Sequence, residues 1–225
     1  MPAAYPSPIV EIEYTIRRSD RARRVRVTVD PQLGVEVVLP RRAREREAAA
    51  AVAQLRPWIE RRLAESAALR ARIAARGATV PYLDHALALR PQPGRTRVHR
   101  RGGELLVPDG DARPALERWY RRVARDEIVP RVEHAAAALG VQARTISIRG
   151  QRTRWGSCSA SGTLSFNWRL LLAPEAVLDY VVWHEACHLQ VMDHSPRFWA
   201  LVERHVPDYR APRRWLREHG TSLVL

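Results

Sequence analysis

The sequence contains no lysine, so arginine supplies all 38 of its basic side chains. Against 24 acidic residues, this gives a formal net charge of +14. A basic surface can hold phosphate groups, as in nucleic-acid binding, but a coding bias toward arginine and alanine also raises the charge. Phosphate-binding surfaces normally use lysine as well as arginine, so the missing lysine favours some compositional bias. Charge alone therefore does not decide whether the protein binds nucleic acid.

The sequence also lacks a long apolar run and a secretion signal. No stretch approaches the roughly 18 consecutive apolar residues of a membrane span, and the first residues show no basic segment followed by an apolar one. The two cysteines, Cys158 and Cys187, match no paired metal-binding spacing. These absences argue against a membrane partner and favour a reducing, cytoplasmic location.

Hydrophobic periodicity predicts an α+β protein with small antiparallel sheets. Pro57, inside the first helical pattern, predicts a kink or a fresh helix start. The predicted strands lie at about 10–16, 25–29, 35–39, 145–150 and 163–166, with two or three more between 79 and 107. The predicted helices lie at about 43–75, 112–139, 174–191, 195–205 and 209–219.

Three regions follow from this pattern. Residues 1–8 are rich in proline and form a tail, 9–110 form an N-terminal β-rich region with one long helix, and 111–225 form a C-terminal domain. The boundary rests on the turn-forming sequence PDGD, whose last residue, Asp111, can cap the next helix. Gly140 is placed to end that helix.

One predicted helix carries the sequence HEACH, which contains His184, Glu185 and His188. Two histidines four positions apart lie on one helix face, so both rings can reach the same metal ion. Glu185 is turned by about 100° around the axis, which keeps it off the metal but near a water molecule there. Three ligands and an open water position form the layout of a catalytic zinc site. Apolar neighbours support this interpretation, because buried His and Glu without partners cost several kcal/mol.

A third ligand is needed, and His194 is the first choice, because the chain can fold back after the helix ends near Asp193. Metzincins have the same spacing, but Val191 stands where they have glycine, and the sequence lacks their methionine turn. The competing third ligand is a carboxylate, as in gluzincins: Glu203, Asp208 or Glu218.

The second half of the chain resembles the YgjP-like zinc metallopeptidases, which are related to SprT-like and minimal gluzincin proteins. The resemblance rests on RWGSCS, FNWRL, HEACHL, DHSPRFW and PDYRAPRRWL, whereas the N-terminal region is similar only in the order of its elements. It implies a zincin-type active-site helix followed by further C-terminal helices, with Glu185 as the catalytic carboxylate. Asp193 stands where asparagine is expected, which removes no ligand. The zinc ligands that the resemblance implies are His184, His188 and His194.

A further group is expected to stabilise the oxyanion or contact the substrate. Tyr180 lies one turn before His184 on a similar face of the helix. The sequence does not choose among Tyr180, Arg154, Tyr209 and His205.

Three functions fit these observations. The first is a zinc-dependent peptidase that acts on a peptide or protein, for which an open groove with an exposed strand edge is expected. The second uses the same site to hydrolyse a nucleotide or another phosphoanhydride, for which several arginines should converge on the metal. The third is a peptidase associated with nucleic acid through its arginine-rich N-terminal sheet, notably Arg23, Arg24 and Arg26.

Overall fold

The computed structural model describes residues 12–30, 34–151 and 154–225. The predicted tail and the start of the first predicted strand lie outside these residues. By packing, the chain divides into two compact units, Met1–Ala75 and Arg76–Leu225. Among the described residues, every helix is too short or too polar for a membrane span.

The described residues form ten strands and six α-helices, which occur in separate runs along the chain and confirm the predicted α+β class. The strands are β1 (Tyr14–Ser19), β2 (Arg26–Asp30), β3 (Gly34–Pro40), β4 (Thr79–Tyr82), β5 (His85–Gln92), β6 (His99–Arg101), β7 (Glu104–Pro108), β8 (Thr145–Arg149), β9 (Gly156–Cys158) and β10 (Thr163–Asn167). The helices are α1 (Glu45–Gln54), α2 (Arg56–Ala75), α3 (Arg113–Leu139), α4 (Glu175–Cys187), α5 (Pro196–His205) and α6 (Arg210–His219). Short 3-10 segments occupy Trp168–Leu172 and Gly220–Ser222.

All three sheets are mixed, whereas the sequence predicted antiparallel sheets. In the first sheet, β3 lies between β1 and β2 and runs parallel to β1. The second sheet has the order β4-β5-β7-β6 with β5 parallel to β7, and the third has the order β8-β10-β9 with β8 parallel to β10. Alternation of apolar and polar residues indicates a strand but does not show whether the neighbouring strand is parallel or antiparallel. The sequence therefore could not predict that the sheets are mixed.

The first unit has a small core between one face of its sheet and the helices α1 and α2. Pro57 is the second residue of α2, so the fresh helix start is the alternative that the structure adopts. Helix α2 buries only Ile59 and Ser66 among its 20 residues. The buried apolar residues of this unit's core are Ile12, Val27, Val35, Val37, Leu39, Ala48, Val52 and Ile59.

The second unit has a larger core, in which α3 and α4 pack against each other and against the segment Trp168–Leu172. Helix α4 is buried on most of its surface, as its apolar sequence requires. Gly140 ends α3 with a φ of 67°, as predicted. The carboxylate of Asp111 accepts a hydrogen bond from the backbone N–H of Arg113 at 3.1 Å, so Asp111 satisfies one free donor at the start of α3.

The packing boundary differs from the predicted domain boundary at residue 110. Val80, Leu87 and Leu105, from the second sheet, share a core with α3 and therefore belong to the second unit. The division into domains remains a prediction, because packing does not show which segment folds alone.

Candidate metal centre

Three histidine rings meet at the C-terminal end of α4. His184 lies on α4, His188 is the residue that ends the helix, and His194 comes from the segment before α5. Their ligand atoms all lie within 4.8 Å of one another, and the Nε2 atoms of His194 and His184 are 3.1 Å apart. Two nitrogen ligands at about 2.05 Å from a tetrahedral ion would lie about 3.3 Å apart. The rings therefore have the spacing of a ligand set.

The chain reverses directly after the helix, which brings His194 back to the other rings. The backbone N–H groups of Gln190 and Val191 donate to the carbonyl of Cys187 at 3.1 and 3.0 Å. The carboxylate of Asp193 then accepts a hydrogen bond from the backbone N–H of Ser195 at 3.1 Å. Val191 has no positive φ, so this turn does not need the glycine found in metzincins.

The ring of His188 is oriented by the same turn. Its Nδ1 lies 3.0 Å from the carbonyl oxygen of Val191. When Nδ1 carries the hydrogen and donates it to this carbonyl, Nε2 of the neutral ring keeps its lone pair for a cation. Fully buried Phe198 stacks on the His188 ring, with centroids 4.3 Å apart, and forms an apolar floor below it.

The ring of His184 has few polar contacts. Its Nδ1 is buried without a hydrogen-bond partner in the described part of the chain, and its Nε2 faces His194. Burial, together with His188 and His194, lowers the pKa of His184 to about 3, and burial also lowers the pKa of His188. Both rings are therefore neutral at physiological pH and can offer lone pairs. This donor set fits a divalent cation that accepts nitrogen ligands.

Glu185 lies beside the histidines and is only 6% exposed. Burial raises the pKa of its carboxyl to about 7, and the positive charge of Arg154 partly opposes that shift. Gly156 of β9 lies directly against this side chain. A Cβ at position 156 would be 2.5 Å from Cγ and 2.6 Å from Oε1 of Glu185. The close approach of β9 to the carboxylate therefore requires the glycine of RWGSCS.

Strand β9 is an edge strand, since β10 is its only neighbouring strand among the described residues. The buried side chain of Asn167 binds the backbone of Gln151 and of Arg154, which stands two residues before β9. Its Nδ2 donates to the carbonyl oxygens of Gln151 and Arg154, at 2.7 and 3.2 Å. The start of β9 is thereby fixed next to Glu185.

The four residues considered for oxyanion or substrate contact lie in different surroundings. The ring centroid of Tyr180 is 5.7 Å from that of His184, and burial raises the pKa of Tyr180 to about 12, so its hydroxyl stays protonated. Arg154 is close enough to act on the charge of Glu185. Tyr209 stacks on Trp199.

His205 stacks on Trp183 with ring centroids 4.2 Å apart. No ring contact joins His205 to the three clustered histidines in the described segments. The structure therefore brings Tyr180 and Arg154 near the cluster and gives His205 a different neighbour.

The carboxylates considered as a third ligand lie outside the cluster. Glu203 accepts a hydrogen bond from Arg210 at 2.9 Å. Within the described residues, the group of ligating atoms consists of three imidazoles. The structure thus brings His194 to the other histidines in place of the alternatives Glu203, Asp208 and Glu218.

Two neighbours of the cluster, Phe198 and Arg213, were not predicted from the sequence. The guanidinium of Arg213 lies 4.5 Å from the ring centre of Trp199, and Trp199 stacks on the ring of His194. Both residues stand in quoted motifs, DHSPRFW and PDYRAPRRWL. No local periodicity distinguishes them from ordinary core or surface residues.

A comparison with known families shows that this protein is a metallopeptidase, which agrees with its fold and its histidine cluster. A family model described as "YgjP-like, metallopeptidase domain" matches residues 23–219. The chain belongs to the YgjP-like metallopeptidase family, as its sequence motifs implied. It is therefore a peptidase-like hydrolase that depends on a metal ion.

The solved structures that are similar to part of the chain include that of a metallopeptidase. It is the crystal structure of the metallopeptidase zymogen of Pyrococcus abyssi abylysin, with 26% sequence identity and a TM-score of 0.37. The similarity covers 40% of this chain and 93% of that chain. No curated protein matches the chain.

Proposed function

We propose that the protein is a zinc-dependent peptidase in which His184, His188 and His194 hold the ion and Glu185 is the general base. The convergence of three imidazoles beside a buried carboxylate is the observation that carries this proposal. A set of nitrogen ligands suits zinc, whereas magnesium and calcium prefer oxygen ligands. The family supplies the class of reaction.

Glu185 performs the proton transfers in this proposal. When bound, a zinc ion supplies Lewis acidity, which brings the pKa of a water molecule toward about 7. The carboxylate of Glu185 accepts the proton of the attacking water and later gives it to the leaving nitrogen. In the metal-free protein its pKa is about 7, and a neighbouring cation favours the charged form that acts as a base. Tyr180 keeps its hydroxyl hydrogen and can donate it to the developing oxyanion.

The substrate in this proposal is an extended peptide. Strand β9 lies against Glu185, and among the described residues its edge away from β10 pairs with no other strand. An edge strand offers unpaired backbone N–H and C=O groups. A peptide can add to such an edge as a further strand. The scissile bond would then be presented to the carboxylate by backbone hydrogen bonds, with little dependence on most side chains of the substrate.

A second candidate keeps the metal and changes the bond that is hydrolysed. The positive charge of Arg154 lowers the pKa of Glu185, and that of Arg213 lowers the pKa of His184. Two guanidinium groups beside a metal could hold the phosphates of a nucleotide. This observation favours a phosphoanhydride hydrolase as the alternative to a peptidase.

Binding to nucleic acid would use a different surface, which lies in the first unit. The exposed arginines around the β1–β2 connection are Arg21, Arg23, Arg24 and Arg26. Binding through them would weaken steeply as salt is added. An affinity for DNA that does not depend on salt would contradict this partner.

The test of the proposed function is metal analysis of the purified full-length protein, followed by a peptide-library assay and a nucleotide-hydrolysis assay. We expect about one zinc ion per chain and cleavage of peptides. Glu185→Gln should keep the metal and lose at least about 100-fold in activity, whereas His194→Ala should lose the metal. Nucleotide turnover that depends on Glu185, without peptide cleavage, would establish the second candidate instead.

A further inference from the structure

One positive charge beside the histidine cluster has no acidic partner among the residues that the structure describes. Arg213 lies on α6 and is exposed. In the described part of the chain, the ion pair of α6 is made by Arg210, which binds Glu203 at 2.9 Å. Arg213 has no carboxylate within ion-pair distance among these residues, so its charge is free to bind a ligand.

The guanidinium of Arg213 packs on an aromatic ring that also contacts the cluster. It lies 4.5 Å from the ring centre of Trp199. Trp199 stacks on Tyr209, with centroids 5.2 Å apart, and on His194, with centroids 5.6 Å apart. The indole of Trp199 therefore contacts both Arg213 and the His194 ring. A guanidinium that packs over an aromatic ring can still donate hydrogen bonds from its N–H groups.

The electrostatic effect of Arg213 agrees with this geometry. Its positive charge contributes to the low pKa of His184 and opposes the rise in the pKa of Tyr180. Both residues face the cluster from α4, so the guanidinium lies within electrostatic range of the site. A substrate group bound by Arg213 would consequently lie close to the reacting bond.

We propose that Arg213 binds a carboxylate of the peptide substrate beside the bond that is cleaved. This inference rests on the proposed peptidase function and deepens it, since it makes the enzyme selective for peptides with a negative group at that place. A single guanidinium edge matches one carboxylate through two parallel N–H···O hydrogen bonds. The carboxylate is either an acidic side chain near the cleaved bond or the C-terminal carboxylate of the substrate.

A carboxylate fits this site better than a chain of phosphates does. A nucleoside triphosphate carries several negative charges and is held in proteins by a larger set of cations. Beside the cluster the structure provides Arg213 and, near Glu185, Arg154. The neighbouring charge of Arg210 is already neutralised by Glu203.

Matched peptides test the proposal in the wild-type, zinc-loaded protein. The set contains one cleavable sequence with glutamate or glutamine at each position flanking the cleaved bond, each with a free or an amidated C-terminus. We expect kcat/KM to be at least about 10-fold higher for the peptide that carries the recognised carboxylate. A loss on changing glutamate to glutamine assigns a side chain, and a loss on amidation assigns the C-terminus.

Variants of α6 show whether Arg213 causes this preference. Arg213→Gln should lower kcat/KM for the preferred peptide to the value for its neutral counterpart, while cleavage of the neutral peptide and the zinc content stay unchanged. Arg213→Lys, which keeps the charge without the planar fork, should restore part of the preference. Arg210→Gln is the matched control, because Arg210 lies on the same helix and also stacks on an aromatic ring, 4.8 Å from the centre of Tyr209. It should leave the preference intact.

Two results would overturn the proposal while leaving the peptidase function in place. One is wild-type enzyme that cleaves acidic and neutral peptides equally well. The other is an Arg213→Gln variant that loses the same factor on both peptides, which would assign the residue a structural role. If zinc-loaded wild-type protein cleaves no peptide at all, the proposed function itself fails, and this inference fails with it.

Discussion

Helix α2 carries its charged residues at the surface, whereas α4 buries ionisable residues in the core. The charges of α2 lie in water, where they form exposed pairs such as Arg62 with Glu65 at 2.9 Å. Helix α4 is buried on most of its surface, yet it carries Glu185 and His184 among apolar neighbours. Exposed charges remain hydrated and contribute little to stability, whereas buried ones without partners cost several kcal/mol. The comparison teaches that burial, and not the number of charges, marks the residues with a chemical role.

The largest predicted effect contrasts a histidine of the cluster, His188, with a histidine outside it, His205. His188→Ala should remove the bound metal and lower peptidase activity by at least about 1,000-fold, because it deletes a proposed ligand. His205→Ala is the matched control, since His205 stacks on Trp183 and not on the cluster. It should keep the metal. Metal analysis and kcat/KM of both variants check the prediction, and retention of metal by His188→Ala would contradict it.

The next effect compares the packing of the two helices. Leu178 of α4 is fully buried, so Leu178→Ala should lower the free energy of unfolding by about 3 kcal/mol. Leu63 of α2 is only partly buried, and Leu63→Ala should cost less than about 1 kcal/mol. Denaturant unfolding of the two variants measures both values. Equal losses would mean that α2 packs as tightly as α4.

A smaller effect concerns the space that β9 leaves for the buried carboxylate. Gly156→Ala should lower kcat by about 10-fold or more without loss of metal, because its Cβ would collide with Glu185. Gly103→Ala is the control, since nothing lies within 4 Å of a Cβ at that position. An active Gly156→Ala variant would show that the carboxylate does not need its observed position.

The last effect is the pH dependence of the metal-free protein. The pKa of Glu185 rises from 4.5 to about 7 on folding, so the charged form destabilises the folded state above pH 7. Glu185→Gln should therefore be more stable than wild type at pH 8. The difference should shrink as the pH falls from about 7 to 4.5, by at most about 1.4 kcal/mol per pH unit, because the folded wild-type protein takes up the proton first.

Unfolding of both metal-free proteins across this pH range measures the difference. Glu60→Gln is the control from α2, where the side chain is exposed, and it should change stability little at any pH. A difference between wild type and Glu185→Gln that grows as the pH falls would contradict the assigned sign.

Local sequence patterns predicted the parts of the fold that depend on local contacts. The strand periods of the first unit, the kink or fresh helix start at Pro57 and the pairing of His184 with His188 all follow from residues a few positions apart. The pattern placed the end of α4 between residues 191 and 193, at least four residues too late, because Leu189 and Val191 are apolar although they belong to the turn.

Features that depend on distant segments were not predictable in this way. The parallel pairing of β8 with β10 and the fourth strand of the second sheet are set by tertiary packing. The approach of Arg213 to the cluster depends on how α6 packs on α4. The approach of Gly156 to Glu185 likewise joins two segments that are far apart in sequence.

The first and last of the proposed ligands are only ten positions apart along the chain. The entropy lost when a loop closes increases with the logarithm of its length, so linking residues this close together costs comparatively little. An ion can consequently be captured by a short stretch of polypeptide before distant parts of the molecule have assembled. Metal availability during synthesis would then influence how the nascent protein matures, in addition to the chemistry of the finished enzyme.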